Sequence, residues 1–348
     1  MLDVYVGEHA KKVIEEHGFE QSLFEVFLGA SGGPKWFTLF GLDKYLFGEY
    51  FKNRNTPLDM VGSSAGAFRA ACFAQPDPVA AITELGMRYS ATDYQGRPSA
   101  KEITQSAIDM TEHLFSEQGV DSIINNPIFR PHFIVAKTKG FVGFENKLLQ
   151  GAGLIKSILL NRAHRSFLNV QYERFVFKPP TSDLQTIDEY CITTKYQDFN
   201  SDNVKPSLLA SGAIPYVMRG IKIPHAPKGL YRDGGVVDYH FDLQFNRQGL
   251  TLYPHFSHQP KAGWFDKNLE RPVNRKNYSH TVLLTPSQEF IGRLPYGKIP
   301  DRKDFENIGA KERLSYWRTV LSETDRLADS FASLVETNDL SRLKPLPF

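Results

Sequence analysis

Three groups of residues are of types that can do chemistry together. Gly62-Ser63-Ser64-Ala65-Gly66 sets a serine in the middle of a G-x-S-x-G pentapeptide. Ser31-Gly32-Gly33-Pro34-Lys35 is a glycine-rich loop, and Asp233-Gly234-Gly235 puts a carboxylate on a tight turn. Attack of a serine hydroxyl on an acyl carbonyl needs a base for the proton, N–H donors for the oxyanion, and some exclusion of water. Ser64 is the candidate nucleophile. Gly62 and Gly66 let strand and helix crowd together, so the hydroxyl projects from a strained turn at a helix N-terminus, where unpaired N–H groups favour negative charge. Gly32 and Gly33 are the candidate oxyanion donors, because a backbone without Cβ approaches a substrate oxygen closely. Pro34 has no N–H to offer. Lys35 is expected to orient the loop or to add positive potential. The base is His or Asp. His240, His255, His258 and His280 lie downstream, in the order α/β-hydrolases use, but none has a distinctive setting. Asp233 does, and a desolvated carboxylate is a better proton acceptor than one in water. Taken alone, each motif also fits an ordinary turn.

The elements around these loops decide where they lie. Phe24–Leu28 reads as a strand, Trp36–Phe51 as a helix by its apolar period, Leu58–Val61 as a strand end, and Ala65–Ala74 as a small-residue helix. Strand, helix and strand within about 35 residues make one crossover, which sets the two strands parallel. Both special loops then fall at the carboxyl edge of the sheet, where open α/β folds build their sites. Further helices are expected at Val6–His17, Pro76–Met87, Lys101–Glu117 and Ser207–Pro215. Further strands are expected at His132–Ala136, Tyr172–Phe177, Tyr190–Thr194, Thr251–Tyr253 and Thr281–Leu284. Leu148–Leu160 is a greasy helix ringed by Lys147, Lys156, Arg162 and Arg165. It is expected to pack over the sheet rather than to act as a lid or membrane-contact element. Lys311–Thr337 reads as one long amphipathic helix docked on the domain, its apolar stripe interrupted at Thr324. With no repeat and no clean linker, residues 1–348 read as a single domain with insertions, recognisable motifs running from about 24 to 237 and a C-terminal extension over 238–348.

Together the loops resemble the patatin-like phospholipase family, on four pieces in the family's order. Ser31-Gly32-Gly33-Pro34-Lys35-Trp36 is similar to its G-G-G-x-[KR]-G oxyanion loop. Gly62-Ser63-Ser64-Ala65-Gly66 matches its G-x-S-x-G. Ala210-Ser211-Gly212-Ala213-Ile214-Pro215 looks like its A-S-x-A-x-P segment. Asp233-Gly234-Gly235 matches its D-G-[GA]. The resemblance implies an α/β fold of three layers, α/β/α, with a central, mostly parallel sheet. It implies a Ser64–Asp233 dyad without histidine, in which Asp233 takes the proton from Ser64 and water hydrolyses the acyl-enzyme. It implies acyl lipids as substrates, phospholipid or lysophospholipid first among them. Ser31 and Trp36 stand where the family has glycine, and Asp238-Tyr239-His240-Phe241 stands where it often has Asn and Pro, so this is a divergent branch. The other uses of such a site are acyl transfer or thioester hydrolysis on a carrier such as CoA. A non-catalytic lipid-binding module of the same fold is a further reading, against which the intact Ser64 and Asp233 speak.

Bulk properties fit that chemistry. The 348 residues suffice for a substantial core, and 41 basic against 39 acidic residues give no reason to expect nucleic acid. The two cysteines, Cys72 and Cys191, sit in apolar contexts and are expected as buried free thiols. No apolar run approaches a membrane span, and the N-terminus lacks a signal-peptide core. A cytoplasmic location, with room for peripheral contact at a membrane surface, is the expectation. No cofactor is called for. No metal is either: His255-Phe-Ser-His258 lacks a cysteine or a clustered third ligand and reads as a surface loop, and the alternating Asp238, His240 and Asp242 read as one face of a strand or a polar loop.

Overall fold

The runs Phe24–Gly29 and Leu58–Ser63 carry apolar residues on both faces, which suits the inside of a sheet rather than its edge. In the computed structural model, which describes residues 1–94 and 96–348, the strands are β1 (Leu2–Val6), β2 (Phe24–Gly29), β3 (Leu58–Ser63), β4 (Phe129–Thr138), β5 (Tyr172–Lys178), β6 (Thr186–Ile187), β7 (Thr194–Asp198), β8 (Tyr231–Asp233), β9 (Gln244–Phe245), β10 (Leu250–Pro254), β11 (Thr281–Pro286) and β12 (Leu343–Pro345). Ten of them form one sheet in the order β12-β1-β11-β10-β2-β3-β4-β5-β7, with β8 paired to β4. β6 and β9 make a separate pair. The five inner strands β11, β10, β2, β3 and β4 run parallel. β1 is antiparallel to β11, and β5 to β4.

The α-helices are α1 (Glu8–His17), α2 (Phe40–Tyr45), α3 (Ala65–Phe73), α4 (Pro78–Ser90), α5 (Ala100–Leu114), α6 (Glu117–Asn125), α7 (Lys147–Ala163), α8 (Val204–Ser211), α9 (Gln288–Arg293), α10 (Asp304–Asn307), α11 (Ala310–Glu323) and α12 (Asp325–Thr337). The two-residue period of the strands sorts their side chains between two cores. Phe27, Met60 and Phe133 face one core with Leu42 of α2, Ala70 of α3 and Phe331 of α12. Val26, Val61 and Ile134 face the other, with Phe241, Phe256 and Tyr278. On that second face α7 sends Leu154 into a smaller cluster with Ala136 and Tyr172. The result is the three-layer α/β/α arrangement with a mostly parallel sheet. β10 and β11 both come from beyond residue 240, and β10 lies directly beside β2.

Several local expectations are corrected. The first strand is β1, ahead of α1; its buried residues Leu2, Val4 and Val6 alternate with half-exposed ones. The helical stretch after the glycine loop changes winding, from 3-10 over Gly33–Leu39 to α2 and then to a π turn over Leu46–Tyr50. Lys101–Glu117 ends at Leu114, and a second helix, α6, starts at Glu117 behind the Ser116 cap. The strand expected at Tyr190–Thr194 instead begins at Thr194. The long helix 311–337 is two helices broken at Thr324. There the side chain donates to Leu321 O at 2.7 Å and accepts from Gly41 N at 2.9 Å, tying the junction to α2. Cys72 is buried, but Cys191 is exposed, in a turn with φ +50°. The greasy helix α7 turns its apolar residues outward: Leu148, Ile155, Ile158 and Leu159 are exposed, while Gln150, Ser157 and Asn161 face the protein. No described helix is long and apolar enough to cross a membrane.

Candidate active site

Register explains how residues so distant in sequence meet. β3 pairs with the first half of β4 and ends with Ser63 opposite Ile134. β5 occupies the other edge of β4 from Phe133 to Thr138. β8 therefore lies on the edge that β3 has just left, antiparallel, with Tyr231 opposite Lys137 and Asp233 opposite Val135. The carboxyl ends of β3 and β8 meet head-on beside one strand. Ser64 follows the first and Asp233 ends the second, and Ser64 Oγ donates a 2.8 Å hydrogen bond to Asp233 Oδ2.

The turn at Ser64 is strained. Its φ is +54° and ψ −123°, in a region that side chains rarely occupy. Crowding holds it there. Gly29 and Gly62 are partners across β2 and β3, and α3 lies so close above them that a Cβ on Gly66 would overlap the Gly29 carbonyl. Ser64 N–H donates to Ser211 Oγ at 2.9 Å, and Ser211 Oγ donates to Ile134 O at 2.7 Å. Asp233 N–H donates to Ala213 O at 3.0 Å. The Ala210–Pro215 segment thus fastens the backbone of both residues. In the sequence that segment is a motif without a role; only the fold brings the Ser211 hydroxyl to Ser64 N–H. The side chain of Arg69 adds a bidentate, fully buried pair with Asp43, locking α3 to α2.

Asp233 is nearly buried, as is Ser64; each is 6 % exposed. Burial raises the Asp233 pKa, and the bonds from Ser64 and from Gly235 N–H (2.7 Å, to Oδ1) oppose the rise, as do the charges of Arg302 and Lys267. Gly234 sits against the carbonyl of Ile134, and Gly235 against Ser31 Oγ. The other acid and the histidines are engaged elsewhere. Asp238 is held by Arg174 at 2.6 and 2.8 Å, within an ion-pair cluster that includes Arg165. His240 and His255 are buried side by side, ring centroids 4.3 Å apart, and burial pushes both well down, His255 to about 3. His240 Nδ1 accepts the Lys261 N–H at 3.0 Å, and His255 Nδ1 lies 2.6 Å from Ser257 O and 2.9 Å from Ser257 N, so both rings are engaged by their own neighbourhood. His258 stands near Tyr5, and His280 stacks on His9 at 4.0 Å. Among the described residues no histidine hydrogen-bonds Ser64 or Asp233.

The glycine loop borders the same point. Ser31 Oγ donates to Ser63 Oγ at 2.9 Å and Ser31 N–H to Tyr239 O, tying the loop to the elbow and to the chain after Asp233. Gly33 has φ +56°, a conformation suited to glycine. Among the described residues, the N–H groups of Gly32 and Gly33 donate to no protein acceptor. Phe256 packs on Gly32, leaving no room for a Cβ. Lys35 Nζ pairs with Asp301 at 3.3 Å and lies 5.5 Å over the Phe256 ring, so its charge ties the loop to the C-terminal part of the chain. A Cβ on Gly33 would stand 3.2 Å from Tyr89 OH and 3.6 Å from the Arg302 guanidinium, which places both groups at the loop. Lys267 Nζ lies 3.8 Å over the Tyr239 ring. Desolvation, then the charges of Lys35 and Arg302, lower its pKa to about 7, although the residue as a whole is exposed.

Ser64, Gly33, Tyr89 and Arg302 open into a cleft of about 1910 Å³. Phe68, Leu85, Met110 and Leu209 contribute apolar wall; Lys101, Lys147, Arg219 and Lys222 bring positive charge. Tyr89, Lys267, Asp301 and Arg302 carried no signal in the sequence, because they stand outside any motif and are gathered only by folding. The arrangement can do what its parts suggest: a hydroxyl beside a desolvated carboxylate, next to two free backbone donors, at the end of a part-apolar cleft rimmed by cations.

A sequence model of the patatin-like phospholipase family matches residues 30–240, more than half of the 348. No curated protein and no solved structure gives a significant match.

Proposed function

The chain belongs to the patatin-like phospholipase family, a family of lipid acyl hydrolases, and from that premise we propose that it is a serine esterase acting through a Ser64–Asp233 dyad. What carries this reading is the 2.8 Å hydrogen bond from Ser64 Oγ to a carboxylate whose pKa burial raises. Asp233 takes the hydroxyl proton as Ser64 Oγ attacks the acyl carbon. The carbonyl oxygen becomes an oxyanion facing Gly32 and Gly33 N–H; one such donor supplies roughly 3 kcal/mol of transition-state stabilisation. Collapse expels the alcohol, which leaves with the proton from Asp233. Water then attacks the acyl-enzyme, giving its proton to Asp233, and Ser64 regains its own as the fatty acid departs.

The substrate we infer is an acyl lipid with an anionic head group, phospholipid or lysophospholipid. The cleft supports this by pairing apolar wall with cationic side chains in the cavity that also contains Ser64, among them Arg302 beside Gly33. We take residues 1–348 to act as one domain, since β10 and β11 complete the sheet that carries the site.

The test is hydrolysis of a lipid panel by wild type and Ser64→Ala. We expect a loss on the order of a thousandfold or more across all esters, together with loss of labelling by a fluorophosphonate probe. Undiminished hydrolysis by Ser64→Ala sinks the reading. Isotopically labelled water in the released acid separates hydrolysis from transfer to another acceptor.

A further inference from the structure

Helix α7 is amphipathic the wrong way round. Gln150, Gly153, Ser157 and Asn161 recur at helical spacing and face the protein. Gln150 donates to Phe144 O at 3.1 Å and accepts from Tyr216 N at 2.8 Å. Ser157 shares a 3.1 Å hydrogen bond with Tyr172 OH, and Asn161 donates to Asp266 Oδ1 at 2.9 Å. These bonds fix the helix's rotation; turning it to bury its aliphatic residues would strand them all. The opposite stripe carries Leu148, Ile155 and Leu159, which are 85 %, 61 % and 63 % exposed, with Ile158 at 51 %. The turns that pack on either end of α7 add exposed Phe141, Phe144, Phe167 and Val170. Of the thirteen large hydrophobic residues exposed among the described residues, nine lie between 141 and 170. Such a concentration is an interaction surface rather than scatter.

Charge chooses the occupant. Lys147, Lys156 and Arg162 are exposed on α7, and among the described residues none makes an ion pair. Glu145, the acid at the start of the helix, is already paired with Arg232 at 2.8 Å. A second copy using the same patch would bring cation against cation, since a two-fold interface is self-complementary. A bilayer with anionic head groups meets both features at once: acyl chains for the aliphatic stripe and phosphates for its basic flank. The patch also runs into the cleft. Glu145, Lys147 and Tyr216 line the cleft that contains Ser64, and Tyr216 OH donates to Lys147 O at 2.6 Å.

We propose that the outward face of α7, with the turns at its two ends, is the surface by which the protein docks on an anionic lipid membrane, presenting the cleft mouth to that membrane. This deepens the hydrolase reading, on which the choice of a lipid partner rests. The full chain is mixed with vesicles of phosphatidylcholine, alone or with phosphatidylserine, and sedimented. Wild type should bind the mixed vesicles more tightly, with binding weakened by salt. Ile155→Gln/Ile158→Gln/Leu159→Gln keeps helix-forming side chains and should lower vesicle partitioning by roughly a hundredfold. Lys156→Glu/Arg162→Glu should lose the preference for phosphatidylserine. Both should hydrolyse a water-soluble ester at the wild-type rate. In Ile158→Trp, the fluorescence should shift to the blue on adding mixed vesicles and be quenched by lipid brominated in its acyl chains. Undiminished vesicle binding by the triple variant, or no response from Ile158→Trp, overturns the proposal. So does a wild-type dimer that the triple variant dissociates with no effect of vesicles, which makes the face a contact between copies. Wild type that hydrolyses soluble ester but ignores vesicles sinks this surface and leaves the hydrolase; Ser64→Ala that binds vesicles normally separates the two in the other direction.

Discussion

Replacing Asp233 by Asn changes almost nothing but the chemistry. Asp233 Oδ1 accepts from Gly235 N–H at 2.7 Å, and Oδ2 accepts from Ser64 Oγ at 2.8 Å. Asparagine must keep its oxygen toward the Gly235 donor, so its NH₂ faces Ser64. The hydroxyl then becomes the acceptor, and its proton has no base. General-base assistance contributes about 10² to 10⁴ in rate, so kcat should fall by roughly a thousandfold, or about 4 kcal/mol of barrier. Stability should move the other way or not at all. Burial raises the Asp233 pKa above its unfolded value, so ionising it costs the native state stability as pH rises through the folded pKa. A neutral amide removes that cost at neutral pH. The assay is hydrolysis of a short p-nitrophenyl ester against pH, with thermal unfolding alongside. For wild type the acid limb of kcat/KM should lie above the usual carboxylate range, because the group is active only when ionised. Asp233→Asn should be slow at all pH, without that limb, and no less heat-stable than wild type. If kcat stayed within about tenfold of wild type, the proton would be going elsewhere, and the dyad would be wrong.

Arg302→Gln should lower kcat/KM on an anionic lysophospholipid by roughly tenfold, the worth of one charge-assisted hydrogen bond, while a neutral ester of the same chain length is hydrolysed almost as before. Equal losses on both, in steady-state assays, would remove Arg302 from head-group recognition. Burial holds the His255 pKa at about 3, well below the ordinary 6.5 of an imidazole. Its contribution to stability is complete above the unfolded value and is lost as pH falls below it, by roughly 2 kcal/mol at about pH 5. Asp242, raised to about 6 by burial, works in the opposite sense, so a variant is needed to isolate the histidine. Urea unfolding of His255→Gln should show a smaller loss between about pH 7 and about pH 5 than wild type, by about that amount. Identical pH dependence in the two proteins would mean that His255 is not held neutral by the fold.

The parts of the site that were legible in the sequence are those where chemistry constrains the backbone. Gly62 and Gly66 are readable because strand and helix must nearly touch there, and Asp233-Gly234-Gly235 because a turn must put a carboxylate at a strand end. The crossover from β2 to β3 followed from two apolar runs and the helical stretch between them. What failed were features set by partners far along the chain. β1 is five residues long, and its partner β11 lies more than 270 residues away. The aliphatic stripe of α7 is visible in the sequence, but hydrophobicity by itself argues that it points inward. The competing signal, Gln150, Ser157 and Asn161 on one helical stripe, was equally present and had partners waiting at Tyr216, Tyr172 and Asp266. Thr324 announced a break in the apolar stripe, while the bond to Gly41 that makes it a break in the helix exists only in the folded chain.

The site divides along the chain in a way that bears on how this branch can vary. The groups we propose to react, and their backbone supports, from Ser31 to Asp233, fall within the stretch that matches the family model, residues 30–240. Several groups that hold the glycine loop do not. Phe256 packs on Gly32, Asp301 holds Lys35, and Arg302 stands beside Gly33, each from a segment beyond that match. β10, also beyond it, is the neighbour that keeps β2 and its glycine loop inside the sheet rather than at an edge. The glycine loop is therefore clamped between the elbow, inside the family match, on one side and segments beyond that match on the other. On the proposed mechanism, changes after residue 240 can alter the cleft mouth while leaving the elbow backbone in place, although Lys267 and Arg302 also act through their charge on Asp233, whereas changes to the glycines of the elbow move the hydroxyl itself.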